Sequence, residues 1–312
     1  MADTGSKILV TGGSGFIGTH LCRELVDQGY YVRVLDIRPP RFQVPEVHYE
    51  FGDVRNPKNI ARAVEDIEAV FHLAAMVSVP LCQENPVESY QVNLLSTIAV
   101  LEALVNERNR IERPIRFIFS GSSVVYGNLG QESRAISESD PTDKPQSFYG
   151  AQKLASEQAT QLFQRHFNIP SVIFRFFNVY GPGMDPSSPY SGVISVFAQA
   201  LSAGAPIRIH GDGSQTRDFV SVHDVVGACL DALSLPSSEC DANPINLGSG
   251  EKSSILELAQ EMILRTNRPA QIQNTSGRAG DVKHSLANVE RAKKILKWEP
   301  QIKLTQGLAE LF

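Results

Sequence analysis

Tyr149 and Lys153 stand four residues apart in Phe148-Tyr-Gly-Ala-Gln-Lys153, in a segment that reads as the first turns of a helix. That spacing stacks both side chains on one helix face. A tyrosine acting as a base near neutrality must have its pKa of about 10 lowered by about three units, roughly 4 kcal/mol of differential stabilisation. A neighbouring ammonium favours the phenolate and is expected to supply part of this. Upstream, the serine run Ser120-Gly-Ser-Ser-Val-Val-Tyr-Gly127 follows an apolar strand-like stretch and can bring a hydroxyl, that of Ser122, to the same pocket. A solvated helix face and a plain turn are the alternative readings of these two segments.

A second chemistry-bearing pattern opens the chain. Thr11-Gly-Gly-Ser-Gly-Phe-Ile-Gly18 places Gly12, Gly15 and Gly18 between a strand and a helix that begins near Phe16. Such a turn lets backbone amides at a helix N-terminus approach a pyrophosphate. Asp36 ends the next apolar run, where a carboxylate accepts hydrogen bonds from ribose hydroxyls and repels a 2′-phosphate, which favours NAD over NADP. Arg38 and Arg41 nearby are the residues that would argue for the phosphate.

These groups require a scaffold. Short apolar runs at Ile8 to Thr11, Tyr31 to Asp36, Val47 to Gly52, Ala69 to Leu73, Ile115 to Ser120 and Ser171 to Phe176 alternate with longer amphipathic segments. Continuous runs of that length predict buried parallel strands in repeated βαβ units, hence a doubly wound α/β fold with a Rossmann-type sheet. After Arg175 the Gly/Pro-rich stretch 181–189 interrupts the pattern. The expected division is a dinucleotide-binding domain over 1–178 that contains the serine, tyrosine and lysine, and a smaller α/β substrate lobe over 179–312, some segments of which return to the first domain. Ser221-Val-His-Asp224 and Ser254-Ile-Leu-Glu257 each read as a helix start with a hydroxyl and a carboxylate three residues apart.

The 312 residues are 42% hydrophobic and 20% charged, ordinary globular composition. A net charge of −5 offers no general attraction to nucleic acid or an anionic membrane, so an anionic ligand needs a few local cations in a pocket. Cys22, Cys82, Cys229 and Cys240 lack CxxC spacing, so no zinc or other metal site and no disulfide framework is expected. With no apolar run approaching the ~20 residues of a membrane span, the expectation is a soluble, cytoplasmic protein.

Taken together the motifs resemble the extended short-chain dehydrogenase/reductase family, and within it the NAD-dependent sugar-nucleotide epimerases and dehydratases. The likeness spans nearly the whole chain. It includes the glycine run, Gly52-Asp53-Val54, His72-Leu-Ala-Ala75, Asn93, the serine run, Tyr-x-x-x-Lys, Arg175-Phe-Phe-Asn-Val-Tyr-Gly-Pro182, Gly211-Asp-Gly-Ser-Gln-Thr-Arg-Asp-Phe-Val220 and Arg278-Ala-Gly-Asp281. The resemblance implies Tyr149 as catalytic base, Lys153 as ribose ligand and pKa modulator, and Ser122 as the hydroxyl bonded to the sugar O4. It implies a cofactor site of Gly12, Gly15, Phe16, Ile17, Gly18, Asp36, Asp53 at the adenine, Val54, Leu73, Ala74, Ala75 and Asn93, with Tyr149 and Lys153. For the substrate it implies Asn178 at a phosphate, Gly192 and Val193, Arg217 and Arg278 as cations for the diphosphate, Asp281 at the nucleotide ribose, and Ser285 near the sugar. His72 matches no catalytic position and is read as a core or strand-end histidine.

The resembling dehydratases carry an Asp-Glu pair in the serine-run strand, and the decarboxylases carry a glutamate two residues before Tyr-Gly. Here Ser123 and Val124 stand instead, so the residues support only oxidation and reduction at carbon 4. The expected activity is therefore an NAD-dependent UDP-sugar 4-epimerase. At the position where a bulky residue resembles the glucose-restricted members, Ser285 leaves space for an N-acetyl group, while Val77 and Asn288 depart from the pattern of the members that use such sugars. A UDP-glucuronate 4-epimerase, a reductase releasing a keto sugar and a non-catalytic dinucleotide sensor are the competing readings. Helices at Pro86 to Asn106 and Ser147 to Phe167 are the expected homodimer interface.

Overall fold

Seven parallel strands form the central sheet. In chain order the first six are β1 (Lys7–Thr11), β2 (Tyr31–Asp36), β3 (His48–Phe51), β4 (Ala69–His72), β5 (Arg116–Ser122) and β6 (Ser171–Phe176). The spatial order is β6-β5-β4-β1-β2-β3, and a seventh strand, Asp241–Leu247, pairs with β6 at the outer edge. The computed structural model describes residues 5–131, 134–185, 192–266, 269–277 and 282–312.

The inner strands are buried on both faces, which is why β1, β4 and β6 are nearly continuous in apolar residues, while the edge strand β3 is only partly buried. Along β1, Ile8 and Val10 join one core and Leu9 the other; along β6, Val172 and Phe174 join the first and Ile173 the second. This period of two is the strand pleat expressed in packing. Helices Phe16–Asp27 and Val222–Ser234 cover the first face with Leu21, Leu25 and Val225. Helices Pro57–Ala63 and Ser96–Ile111 cover the second with Ile60, Val100 and Leu104. A third core gathers Tyr180, Phe197, Ile207, Leu258, Met262 and Leu308 from the C-terminal half.

Strand order reverses at β1, which pairs with β2 on one side and β4 on the other. The chain leaves these neighbours in opposite directions, so a crevice opens above their C-terminal ends. The glycine run follows β1 and Leu73 to Ala75 follow β4, so both line that crevice.

The expected helix from Pro86 is three pieces: Pro86–Tyr90, a π-helical turn Gln91–Leu95, and Ser96–Ile111. The π turn carries Asn93, whose buried side chain accepts a hydrogen bond from Met76 N of a neighbouring loop and donates one to Gln152 of a neighbouring helix. Ser254 and Glu257 form the expected reciprocal cap, with each side chain accepting from the other's amide at 3.1 and 2.8 Å. At the other expected start, Ser221 Oγ accepts from His223 N at 3.2 Å, but Asp224 turns away. Its carboxylate instead accepts from Gln301 N at 2.9 Å and Ile302 N at 3.1 Å, tying the C-terminal segment down. All four cysteines are buried and free, and no described helix is long and apolar enough to cross a membrane.

Candidate active site

The glycine run is built by close approach. Gly12 has φ +70, and a Cβ on it would sit 2.6 Å from Ala74 N, so β1 and the β4 loop can cross only because that atom is missing. A Cβ on Gly18 would lie 2.6 Å from both Gly12 O and Gly13 Cα, so the first turn of helix Phe16–Asp27 packs directly on the loop. Gly15 is the N-cap of that helix and supplies no side-chain cap, leaving first-turn amides available to an anion. Ile17 packs against the first core, and the Phe16 ring meets His20 edge-on at 5.6 Å.

Asp36 is joined to this loop. Its Oδ2 accepts from Ser14 N at 3.1 Å and its Oδ1 from Arg38 N at 3.0 Å, while partial burial pushes its pKa above the usual carboxylate range. The Ser14 hydroxyl is buried with no hydrogen-bond partner among the described residues. A buried unpaired hydroxyl beside an open helix N-terminus and a carboxylate suits a ligand bearing phosphate and ribose oxygens.

The remaining positions expected at the dinucleotide divide by environment. Leu73 N donates to Thr11 O at 3.0 Å and Ala74 N to Thr11 Oγ1 at 3.4 Å, and Ala75 continues the same loop. Asp53 is gripped by Arg55, whose Nε and Nη2 lie 2.8 and 2.6 Å from its Oδ2 and hold its carboxyl below the usual range. Val54 packs into the second core. The Asn93 amide binds Met76 N at 2.8 Å, Met76 O at 3.0 Å and Gln152 Oε1 at 2.6 Å. Asn93 therefore ties the β4 loop to the helix that carries Tyr149 and Lys153.

That helix, Phe148–Phe167, starts on Ser147, whose Oγ accepts from Gly150 N at 3.0 Å. Its first turn places Tyr149 beside Ser122 at the end of β5, near enough for the serine hydroxyl to favour the phenolate. Ser122 Oγ also accepts from Val124 N at 3.3 Å. One turn on, Lys153 Nζ donates to Ser120 O at 2.7 Å and lies 5.9 Å from the Tyr149 ring centroid. Ser122, Tyr149 and Lys153 are thus brought together above the ends of β4 and β5. Both long side chains are buried, and burial lowers the lysine pKa to about 8. The phenol behaves differently from the expectation of a lowered pKa: burial pushes it well above the usual range, and the Ser122 hydroxyl opposes this only in part.

His72, read as a core residue, is buried between two threonines, with Thr11 Oγ1 2.8 Å from Nδ1 and Thr97 Oγ1 3.1 Å from Nε2. Burial, reinforced by the Lys153 charge, lowers its pKa to about 3. A histidine whose folded pKa lies below the unfolded value near 6.5 contributes stability that is complete above pH 6.5 and is lost as pH falls toward 3. Each pH unit crossed in that window costs about 1.4 kcal/mol. Urea unfolding at pH 7.5 and pH 5.0 is expected to show this loss in the parent and its near absence in His72→Asn. An equal pH effect in both proteins would place the titration elsewhere.

On the substrate side, Asn178 donates from N and Nδ2 to Asp218 O at 3.0 and 3.1 Å. Arg217 Nη1 donates to Thr216 O at 2.9 Å, and Ser285 N donates to the same carbonyl at 3.1 Å, so Arg217 and Ser285 are neighbours. Gly192 caps helix Val193–Ser202 without a side chain. Arg278 and Asp281 lie outside the described residues. Arg41 pairs with Asp185 at 3.6 Å, which engages one of the two arginines near Asp36.

Several polar residues around the site were given no role from the sequence: Gln152, Glu157, Arg175 and Asp218, all buried. Glu157 had a local signal, since it follows Lys153 by one helical turn. Asp218 lay inside the quoted run 211–220 but had no local signal for its role, because its partners are distant in the chain.

The profile of the NAD dependent epimerase/dehydratase family matches residues 8–248. The chain is 32% identical to the UDP-glucose 4-epimerase of Mycolicibacterium smegmatis over 313 residues, covering 97% of this chain and 96% of that protein. It is similar to the solved UDP-glucose 4-epimerase of Thermotoga maritima with UDP-glucose, at TM-score 0.90 and 29% identity, covering 98% and 97% of the two chains. It is also similar to the Bacillus cereus UDP-glucuronic acid 4-epimerase in complex with UDP-glucuronic acid and NAD, at TM-score 0.84 and 29% identity, covering 98% of each. A match over well over half of the sequence, on a fold whose crevice carries the same motifs, settles membership: the chain belongs to the NAD dependent epimerase/dehydratase family.

Proposed function

We propose that the protein is an NAD-dependent UDP-sugar 4-epimerase interconverting gluco and galacto forms, UDP-glucose with UDP-galactose, with space at Ser285 for the N-acetylated pair. The observation that carries the reading is the junction of Ser122, Tyr149 and Lys153 at the switch-point crevice, with Ser123 and Val124 where related enzymes carry proton-transfer acids. The orphaned Ser14 hydroxyl, the uncapped helix at Gly15 and the Asp36 carboxylate suit NAD, and that carboxylate would repel a 2′-phosphate.

In this reading Tyr149 is held as a phenol by the protein's own groups, because its burial outweighs the Ser122 hydroxyl. A bound oxidised nicotinamide supplies the hydride acceptor and a further positive charge that favours the phenolate. Tyr149 then takes the proton of the sugar 4-hydroxyl while Ser122 hydrogen-bonds the same oxygen. Lys153, anchored on Ser120 O, adds its charge from one side. Carbon 4 loses a hydride as O4 loses its proton; once the resulting 4-keto sugar has turned its other face, carbon 4 regains the hydride while Tyr149 returns the proton to O4, so the sugar is inverted without net redox change. Arg217, a neighbour of Ser285, is the cation assigned in this reading to the charge of the diphosphate.

The test is incubation of purified protein with UDP-glucose, UDP-N-acetylglucosamine and UDP-glucuronate separately, followed by chromatography of each epimer pair. Conversion of UDP-glucose without accumulation of NADH supports the proposal. Conversion of UDP-glucuronate alone would move the assignment to the second reading, which the likeness to the Bacillus cereus enzyme favours. Stoichiometric NADH would make the protein a dehydrogenase.

A further inference from the structure

Lys153 and Glu157 lie one helical turn apart, and both are 2% exposed. Their charged ends flank consecutive residues of β5 immediately before Ser122. Lys153 Nζ is 2.7 Å from Ser120 O, and Glu157 Oε1 lies 3.0 Å from where a Gly121 Cβ would stand. Only glycine at 121 admits the carboxylate there, since the same Cβ would also lie 2.4 Å from Phe174 O.

Glu157 is held from the opposite side by Arg175 of β6. Arg175 Nη2 and Nε lie 2.8 and 3.1 Å from Oε2, and Nε lies 3.2 Å from Oε1, in a pair buried on both sides. The guanidinium sits 4.7 Å over the Tyr126 ring, whose hydroxyl donates to Asn246 Oδ1 at 2.6 Å. Burial pushes the Glu157 carboxyl above its usual range, and the Arg175 chelate opposes this by favouring the carboxylate, so breaking one partner of the buried pair is costly.

We infer that Glu157 is a positioning residue that acts through Lys153: clamped by Arg175, its carboxylate keeps the buried ammonium charged beside Tyr149. The consequence for turnover rests on the proposed epimerase reaction; the charge state itself does not. The groups acting on Lys153 are Glu157 and Tyr149 on its own helix, Cys82 on helix Val79–Glu84, and His72 on β4. His72 is neutral across the working range and buried Cys82 stays a thiol, so Glu157 is the group that supports the charge against burial.

Lysine ε-13C NMR of the full-length protein, with Lys153 assigned by Lys153→Met, follows this ionisation without any turnover. The parent midpoint is expected near pH 8. In Glu157→Gln it is expected to fall by about one pH unit, the shift of a nearby opposite charge. At pH 8 the charged fraction would then drop by about fivefold, with the alkaline limb of kcat moving equally. Because Glu157→Gln strands the Arg175 charge, Glu157→Gln/Arg175→Met serves as the variant without an unpaired ion, and it should show the same fall. Glu157→Asp is expected to restore most of the parent midpoint. An unmoved Lys153 midpoint in both Gln variants, or its recovery in the double variant, would overturn the inference. A shifted midpoint in a protein whose parent converts none of the three UDP-sugars would uphold the inference and sink the epimerase proposal.

Discussion

Tyr149→Phe is expected to lower kcat/KM for UDP-sugar conversion by about a thousandfold or more while leaving NAD bound. The substitution removes one oxygen and keeps the ring that packs between Ser122 and Lys153. General acid–base groups contribute about 10²- to 10⁴-fold, and Tyr149 is the ionisable group set beside the Ser122 hydroxyl. His72 is sealed between Thr11 and Thr97, and Glu157 is clamped by Arg175, so neither is free to substitute. Ser122→Ala should be milder, about 10- to 100-fold, because it deletes a hydrogen bond and leaves the proton acceptor in place. The measurements are initial rates for each epimer pair and the nucleotide content of the purified variants. Near-normal turnover in Tyr149→Phe would require another base, and loss of NAD would make the tyrosine a binding residue.

Asp218→Ala is expected to have the largest effect on stability and to reach the substrate side selectively. The Asp218 side chain is fully buried and accepts from Ser249 N at 2.6 Å, Ser249 Oγ at 2.8 Å, Gly250 N at 3.0 Å and Ala287 N at 2.9 Å. A Cβ on Gly248 would stand 2.7 Å from its Oδ2, so the loop wraps it without spare room. Each buried donor left unpaired costs about 1–3 kcal/mol, and a combined loss of about 4 kcal/mol follows after relaxation. For a chain of this size that is a fall in Tm of roughly 6 °C. The carboxylate binds Ala287, two residues after Ser285, and the adjoining Asp218 carbonyl receives Asn178. Loosening this knot should therefore raise KM for the UDP-sugar more than it lowers NAD affinity. Thermal melts with and without NAD, together with KM for UDP-glucose, check both halves. An unchanged KM alongside the loss of Tm would confine Asp218 to stability.

The local sequence fixed those features whose partners lie within a turn or two of chain. Glycines at 12, 15 and 18 mark a tight strand-to-helix turn wherever they occur, and Tyr149 and Lys153 share a face because a helix repeats every 3.6 residues. The inner strands were visible as apolar runs because a sheet covered on both faces tolerates no polar alternation there. The tertiary structure decided what depends on separation in the chain. Arg175 meets Glu157 across a helix–strand packing, and Asp218 draws in residues from 249 to 287, neither of which any periodicity encodes. The break at Gln91–Leu95 was invisible for the same reason, since Asn93 is pulled inward by Met76 and Gln152. The charge state of the reacting groups was decided there too. From spacing alone an ammonium one turn from a phenol predicts an easily ionised tyrosine, yet the folded chain buries both, and desolvation, a property of depth rather than of sequence position, prevails.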